Sequence, residues 1–339
     1  MSHHRDRQLS RIVVPLLLSV LLTGAFIFSL KIGEVRFSLW QAFVEWVSGR
    51  SSDAAVIFSE LRLPRAVLAV LVGATLGLAG AAMQGFLRNP LAEPGILGVT
   101  GGAALGAVLV FYSGLASVFV FALPLGGMIG AFLSVLTLYL LAGLSGGIQT
   151  LILAGIALNT LAFAGTALAL NLFSDPYAAL EVVFWQMGSL ADRSFDHVWL
   201  ALPFILAGWI LLLWNPKTLD ALSLGEETAA SLGVSLSKLR ARLIWGTALS
   251  VGAAVSVCGS IGFVGLVVPH ILRPWVGHQP GRLLGVSALG GAILLLLSDI
   301  AVRLIPSLVE LKLGVMTALV GAPFFMALIF KGRAGEISR

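Results

Sequence analysis

Ten stretches of this sequence are apolar for about the length that a helix needs to cross a bilayer. They lie near residues 12–30, 64–86, 95–113, 118–142, 149–172, 197–214, 241–260, 262–276, 283–303 and 313–331. Hydrocarbon offers backbone N–H and C=O groups no water, so a segment immersed in it must satisfy them internally. Helices do so one segment at a time. Barrel strands would instead show alternating apolar residues in runs of about 10, and these runs are continuous. Composition agrees: 58% of the 339 residues are hydrophobic and 11% are charged, against about 25% charged in a soluble domain. An all-α integral membrane protein of about ten transmembrane helices is expected, as a single membrane domain over 1–339. The eighth stretch is too short to cross alone as a full lipid-exposed helix.

The first thirty residues have a basic head like a signal peptide. The apolar run is too long for one, and no small-x-small site precedes Lys31, so a retained first helix is expected. An even number of spans puts both termini on one side. Lys and Arg favour that side as the inner one, apart from a group of positives between Lys31 and Arg65 on the outer side. No basic patch interleaved with aromatics occurs, so nucleic acid is not an expected partner, whereas lipid is. Cys258, the single cysteine, has no internal disulfide partner and reads as packing.

Polar and helix-breaking residues interrupt this pattern at defined places. "FLRNPLAEPGILGVTGG" (86–102) carries Arg88, Glu93 and two prolines between two apolar runs, which lipid-facing backbone cannot tolerate. A second break is expected at Pro269–His270, in a faint repeat of the first. Gln84 and Asn159 are polar groups in apolar runs, equally suited to tying helices together or lining a path. Asp299 and Arg303 have intrahelical ion-pair spacing. "GLSGG" (143–147) invites comparison with an intramembrane serine protease using His270, but places its serine in a loop at the membrane edge. The dipeptide Gly-Lys never occurs, so there is no P-loop. If transport here is driven by ATP, the ATPase is another chain.

Two segments outside the spans have character of their own. The outer segment 174–197 mixes acids and aromatics, and Phe184 and Trp185 are suited to anchor a short interfacial helix. The inner segment 215–240 contains "GEETAASLGV", a short helix with Glu226 and Glu227 at its N-terminal end and Gly233 as C-terminal cap. Ala229, Ala230, Leu232 and Gly233 form its small or apolar patch.

"RLPRAVLAVLVGATLGLAGAAMQGFLRNPLAEPGILGVTGGAALG", "GFVGLVVPHILR", "LLLLSDIAVRL" and "ELKLGVMTALVGAPFFMALIFK" closely resemble, in order, the blocks of the iron-chelate and vitamin B12 family of ABC importer permeases. The likeness runs from about residue 60 to 331. One departure is "ELKLGV", where Glu-x-Pro-x-Gly is usual; Leu313 is read in the proline's place. The resemblance implies the type II ABC importer permease architecture in a bacterial inner membrane, both termini cytoplasmic. Implied partners are a second copy of the chain, two cytoplasmic ABC ATPase subunits and a periplasmic substrate-binding protein. No catalytic residue, metal or cofactor is implied in this chain, ATP and Mg belonging to the partner ATPase. Asn89 and Leu91 match a cytoplasmic gate, with Ser145, Gly146 and Gly147 at a second gate loop; a plain turn between spans is the alternative for the hinge. Gly225, Ala229, Ala230, Leu232 and Gly233 match the ATPase-coupling region. Arg62, Arg65 and Arg303 match arginines that dock the binding protein; lipid anchoring, with Arg303 neutralising Asp299, is the alternative. The cargo implied is an iron(III) chelate (siderophore or haem), with corrinoid second. A secondary transporter working alone is the alternative of another class.

Overall fold

The computed structural model describes residues 2–143, 147–173, 176–306 and 310–337. The described residues hold helices and no strand. In chain order the α-helices are α1 (Ser2–Lys31), α2 (Leu39–Val47), α3 (Asp53–Val56), α4 (Leu63–Leu87), α5 (Val99–Tyr112), α6 (Leu115–Val118), α7 (Ala122–Ala142), α8 (Ile148–Leu172), α9 (Pro176–Gln186), α10 (Phe195–Leu213), α11 (Pro216–Leu222), α12 (Glu226–Ser231), α13 (Leu236–Cys258), α14 (Val264–Leu272), α15 (Pro280–Leu304) and α16 (Leu313–Ile337). Among the described residues, seven helical stretches are long and apolar enough to cross a membrane: 12–31, 53–87, 122–142, 148–172, 195–213, 236–258 and 280–304. Three shorter apolar segments, 99–112, 264–276 and 313–327, stand where the other expected spans were read.

The centre is built from residues without side chains to separate their backbones. α4 and α15 run against each other along Gly73, Gly77 and Gly291. A Cβ on Gly73 would lie 2.4 Å from the Gly291 carbonyl oxygen, and one on Gly77 2.0 Å from that of Ser287. α5 and α7 meet the same way, a Cβ on Gly106 falling 2.1 Å from the Gly126 carbonyl oxygen. Lipid tails are as apolar as leucine, so such contact has to come from shape and dispersion. α4 and α13 are largely enclosed, whereas α1, α7, α8 and α10 keep much of their apolar surface exposed.

Two details differ from the expected spans. The second helix begins ten residues before Leu63: α3 continues through a π-helical turn, Ile57–Arg62, into α4. Pro64 has no N–H for the carbonyl four residues back, and the wider turn, in which the Leu63 N–H reaches the Phe58 carbonyl, accommodates it. Arg62 therefore lies inside the helix rather than at its start. The break expected at Pro269 also moves. α14 runs through Pro269, and the interruption falls earlier, at 259–263.

That earlier break is held by backbone at the end of α9 and just after it, where the Ser260 N–H donates to the Gln186 carbonyl at 3.3 Å, and the start of α16 bonds the same connection. The Ser189 N–H donates to the Cys258 carbonyl at 2.7 Å, the Leu313 N–H to the Gly188 carbonyl at 2.8 Å and the Gly314 N–H to the Met187 carbonyl at 3.0 Å. Gly259 has φ +76°, and a Cβ on it would fall 2.1 Å from the Trp185 carbonyl oxygen, so glycine is required there twice over. Counted from Glu310, the usual proline position of "ELKLGV" is Lys312 and not Leu313. The Leu313 N–H is taken by the Gly188 carbonyl, and the Lys312 carbonyl accepts from Val315 and Met316 to begin α16.

α9 lies where an interfacial helix was expected. α2 was not anticipated. Ser38 caps it through the Gln41 N–H, and Trp46 and Phe43 pack edge-on against Phe58 of the π-turn. Cys258 is buried, with its thiol directed at the Ala254 carbonyl.

The α4–α15 seam gives a matched test. Gly77→Val should destabilise the purified chain by about 2 kcal/mol. Gly285→Ala, in the same helix pair but with nothing within 4 Å of the new methyl, should be neutral or stabilising by up to about 1 kcal/mol. Unfolding in detergent, followed by circular dichroism, compares the two.

Candidate functional site

α4 ends by leaving its own axis. Arg88 is left-handed at φ 49°, and its N–H and that of Asn89 both reach the Gln84 carbonyl. The Asn89 side chain then accepts the Leu91 N–H at 2.9 Å, and its carbonyl accepts the Ala92 N–H at 3.1 Å. Asparagine followed by proline is suited to such a turn. Glu93 is extended, Pro94–Leu97 is a single 3₁₀ turn, and Gly98 at φ +75° opens α5. Asn89, Pro90 and Leu91 are exposed while Ala92, Pro94 and Leu97 are buried. The hinge is therefore an exposed tip on a buried root. Burial raises the Glu93 carboxyl above the usual carboxylate range, partly offset by the hydrogen bond it receives from the Phe263 N–H. Ser145 and Gly146 lie outside the described residues. Gly147 immediately precedes α8, and a Cβ there would meet nothing within 4 Å.

Gln84 is turned into the helix packing. It is 2% exposed and faces α14. Pro269 cannot supply the N–H that the Gly265 carbonyl would take in a regular helix. The Gln84 amide lies 3.5 Å from that oxygen and 3.2 Å from the Leu266 carbonyl, and its own oxygen accepts from Arg273. Asn159 likewise sits at a helix contact: a Cβ on Gly101 would fall 2.2 Å from its Oδ1. Gln84 thus ties α4 to α14, while Asn159, half-buried, faces Gly101 of α5.

At the same end as the hinge lies the segment 215–240. Gly225 (φ 111°) precedes α12, whose first turn carries Glu226 and Glu227. Gly233, at φ +83°, ends it as expected, with its N–H on the Ala230 carbonyl and the Val234 N–H on that of Ala229. The expected apolar patch divides: Ala229 is fully buried, and Ala230, Leu232 and Gly233 are exposed. A cavity of about 820 Å³ runs beside them, lined among others by Trp214, Lys217, Leu232, Gly233, Lys238 and Arg242.

The three arginines gather at the opposite end, and internal groups hold each of them. Arg62 donates to the carbonyls of Leu30 at 2.9 Å, Lys31 at 3.2 Å and Val35, and stacks over Phe37. Arg303 donates to the carbonyls of Ser29 at 3.0 Å and Ile32 at 2.9 Å. Those of Ser29, Leu30 and Lys31 belong to the last turn of α1, where carbonyls lack helical partners and cations are favoured, and those of Ile32 and Val35 follow it. Arg65 donates to Asp299 at 2.8 Å and pairs with Glu310. Asp299, 1% exposed, thus lies between Arg65 and Arg303, whose Nη2 is 2.9 Å from its other oxygen. The intrahelical pair expected from spacing is half of a larger network. Arg62, at 6% exposure, is not a free docking fork. A cavity of about 440 Å³ opens over the cluster, bordered also by Asp192, Arg193 and Glu34. Among the described residues no group of His, Cys, Asp and Glu could hold a metal.

The family model described as the FecCD transport family matches residues 20–331. The chain belongs to the FecCD transport family. Among FecCD-like relatives, the uncharacterized ABC transporter permease protein YvrB of Bacillus subtilis (strain 168) is 41% identical over 82% of this chain and 80% of its own length. The hemin transport system permease protein HmuU of Yersinia pestis is 40% identical over 85% and 87%. The vitamin B12 import system permease protein BtuC of Vibrio vulnificus (strain CMCP6) is 37% identical over 97% and 96%. A solved metal-chelate type ABC transporter in an inward-facing conformation superposes with TM-score 0.83 at 33% identity, over 95% of this FecCD chain and 99% of the other. The fold is therefore that of an ABC transporter permease.

The Gln84 arrangement predicts a dependence on Pro269. Gln84→Leu strands buried carbonyls and should cost about 1–3 kcal/mol. In a Pro269→Ala background, where residue 269 has an N–H of its own, the same change should cost measurably less. A double-mutant cycle of unfolding in detergent measures the difference.

Proposed function

We propose that this chain is the membrane-spanning subunit of an ATP-driven importer that brings an iron(III) chelate, siderophore or haem, across a bacterial inner membrane. A vitamin B12-type corrinoid is the second cargo. Membership of the FecCD transport family over residues 20–331 carries the reading. The relatives named for hemin and for vitamin B12 support the cargo class without separating its members. The chain holds no catalytic residue in this account; ATP and Mg belong to cytoplasmic ATPase subunits, two per assembly. A lone secondary transporter needs no such partner.

The geometry supports an assignment of parts. α8 and α16 expose apolar faces, and α16 borders an open apolar cavity of about 650 Å³ with Phe263, Gly314, Ala318 and Ala322. We read that face as one wall of a passage completed by a second copy of the chain. The exposed tip Asn89–Leu91 is then the gate at the cytoplasmic mouth, with the loop of Ser145, Gly146 and Gly147 facing it. The cavity beside Leu232 and Gly233 receives the ATPase. Both termini lie on that cytoplasmic side. The arginine end faces the periplasm and seats the substrate-binding protein over the 440 Å³ cavity. A docking carboxylate there has to displace Glu310 from Arg65, because Arg62 and Arg303 hold α1.

Two measurements check these roles. Gly233→Arg puts a bulky charge at a left-handed position in the ATPase seat. It should abolish stoichiometric co-purification of the ATPase or uncouple hydrolysis from uptake, leaving the chain in the membrane. Full uptake by that variant, or a wild-type chain that transports with no ATPase bound, excludes the coupling role. Leu91→Cys on a Cys258→Ala background should cross-link between two copies to an extent that changes with ATP. A nucleotide-independent result would leave 88–98 a static turn. Mass spectrometry of the ligand retained by the binding protein identifies the cargo.

A further inference from the structure

α11 lies across the hinge-end termini of both central helices. A Cβ on Gly85 of α4 would lie 3.2 Å from Pro280 of α15 and 3.6 Å from a Leu219 methyl of α11. Gly281 leaves just the space that the Pro216 carbonyl fills, 2.7 Å from where its Cβ would stand. Asp220 Oδ1 accepts the Gly281 N–H at 2.7 Å. That N–H belongs to the first turn of α15, and Gln279, the residue before the helix, gives no side-chain cap. The cap comes instead from another helix, and it is a carboxylate, the charge that a helix N-terminus favours.

α12 makes the second contact. Glu226, in its first turn, is 3.7 Å from Arg88, with side chains 43% and 44% exposed. Arg88 is the residue at which the chain leaves α4 for the gate tip. Each partner sits where a helix dipole favours it, the carboxylate at the start of α12 and the guanidinium at the end of α4. So exposed a pair does little to hold a fold together. Leu219 and Leu222, both 1% exposed, already seat α11. What the pair does is join the start of α12 to the residue beside Asn89.

We infer that Asp220 and the Arg88–Glu226 pair are positioning residues for the gate: they pass displacement of the 215–233 segment to the root of the hinge and to α15. The inference rests on the proposed roles of that segment in ATPase coupling and of 89–91 as gate. Push or pull on α12 acts on Arg88 directly. Push on α11 acts on Gly281, and through the glycine seam α15 carries α4 with it.

The test uses the assembled complex of this chain with its ATPase, labelled with a nitroxide at Leu91→Cys on a Cys258→Ala background. Distances between the two labels are measured by pulsed electron paramagnetic resonance without nucleotide and with Mg-ATP plus vanadate. Arg88→Glu and Glu226→Arg should each keep the ATPase bound and hydrolysing, while the fraction of complexes whose label distance shifts falls about two- to fivefold, the scale on which an exposed pair can bias an equilibrium. The double charge swap should restore most of the shift. Asp220→Ala should reduce it, and Asp220→Asn, which keeps an acceptor oxygen for Gly281, should not. Wild-type shifts in both single variants, a swap no better than its parents, or loss of the bound ATPase from either single variant would overturn the inference. If the unaltered complex binds no ATPase or shows no nucleotide-dependent shift, the coupling reading itself fails and this inference falls with it.

Discussion

At Gly73, Gly77 and Gly291 the backbones of α4 and α15 touch with no side chain between them. Neither the hydrophobic effect nor surface charge can assemble helices inside hydrocarbon, so this fit does the work a greasy core does in water. The rest of the structure is arranged around it. α14 lies against α4 where a Cβ on Gly80 would come 1.9 Å from the Gly265 carbonyl oxygen. The hinge leaves the end of α4, α11 crosses the joined ends of both helices, and the arginine network gathers at the far end of the same pair. A bulky residue in the seam would disturb the hinge and the arginine network at once, though it touches neither.

The second constraint is that every interruption of a helix must find partners for the groups it frees. The chain solves this in three ways. At 88–98 the Asn89 side chain folds back on its own turn. At 259–263 backbone from the end of α9 and the α9–α10 connection closes the gap. At Pro269 a glutamine from α4 serves in place of a missing N–H. Of the three, the first leaves an exposed tip, at 89–91.

What was legible in the sequence follows from how local each signal is. Span positions came from runs of apolar residues, and the ends of α12 from Glu226, Glu227 and Gly233, each acting within a turn of itself. The hinge announced itself by proline and charge where lipid forbids both. The partners of Gln84, Arg62 and Arg303 could not be read, because they lie 181, 32 and 274 residues away and spacing carries no trace of them. Arginine near a span end looks the same whether it faces a partner protein or a stray carbonyl. The amphipathic α2 did have a signal, Ser38 followed by Leu, Trp, Phe and Trp on helical spacing, but the segment drew attention only for its charges. The break near Pro269 was misplaced because a proline is a conspicuous interruption, whereas the glycine backbone at 259 that actually bends the chain looks like packing.

The arginines that hold α1 also bear on the order in which the molecule is made. α1 is made before both arginines, and the carbonyls at its end have only water until the guanidinium groups arrive. Arg62 follows within about thirty residues, but the bond from Arg303 to Ser29 spans 274. At a synthesis rate of about 5–20 residues per second that is an interval of roughly 14 to 55 seconds. Through that interval α1 has the Arg62 bonds and not those of Arg303. The bonds from Arg303 need α15 beside α4, so a helix made well before α15 gains its second anchor late.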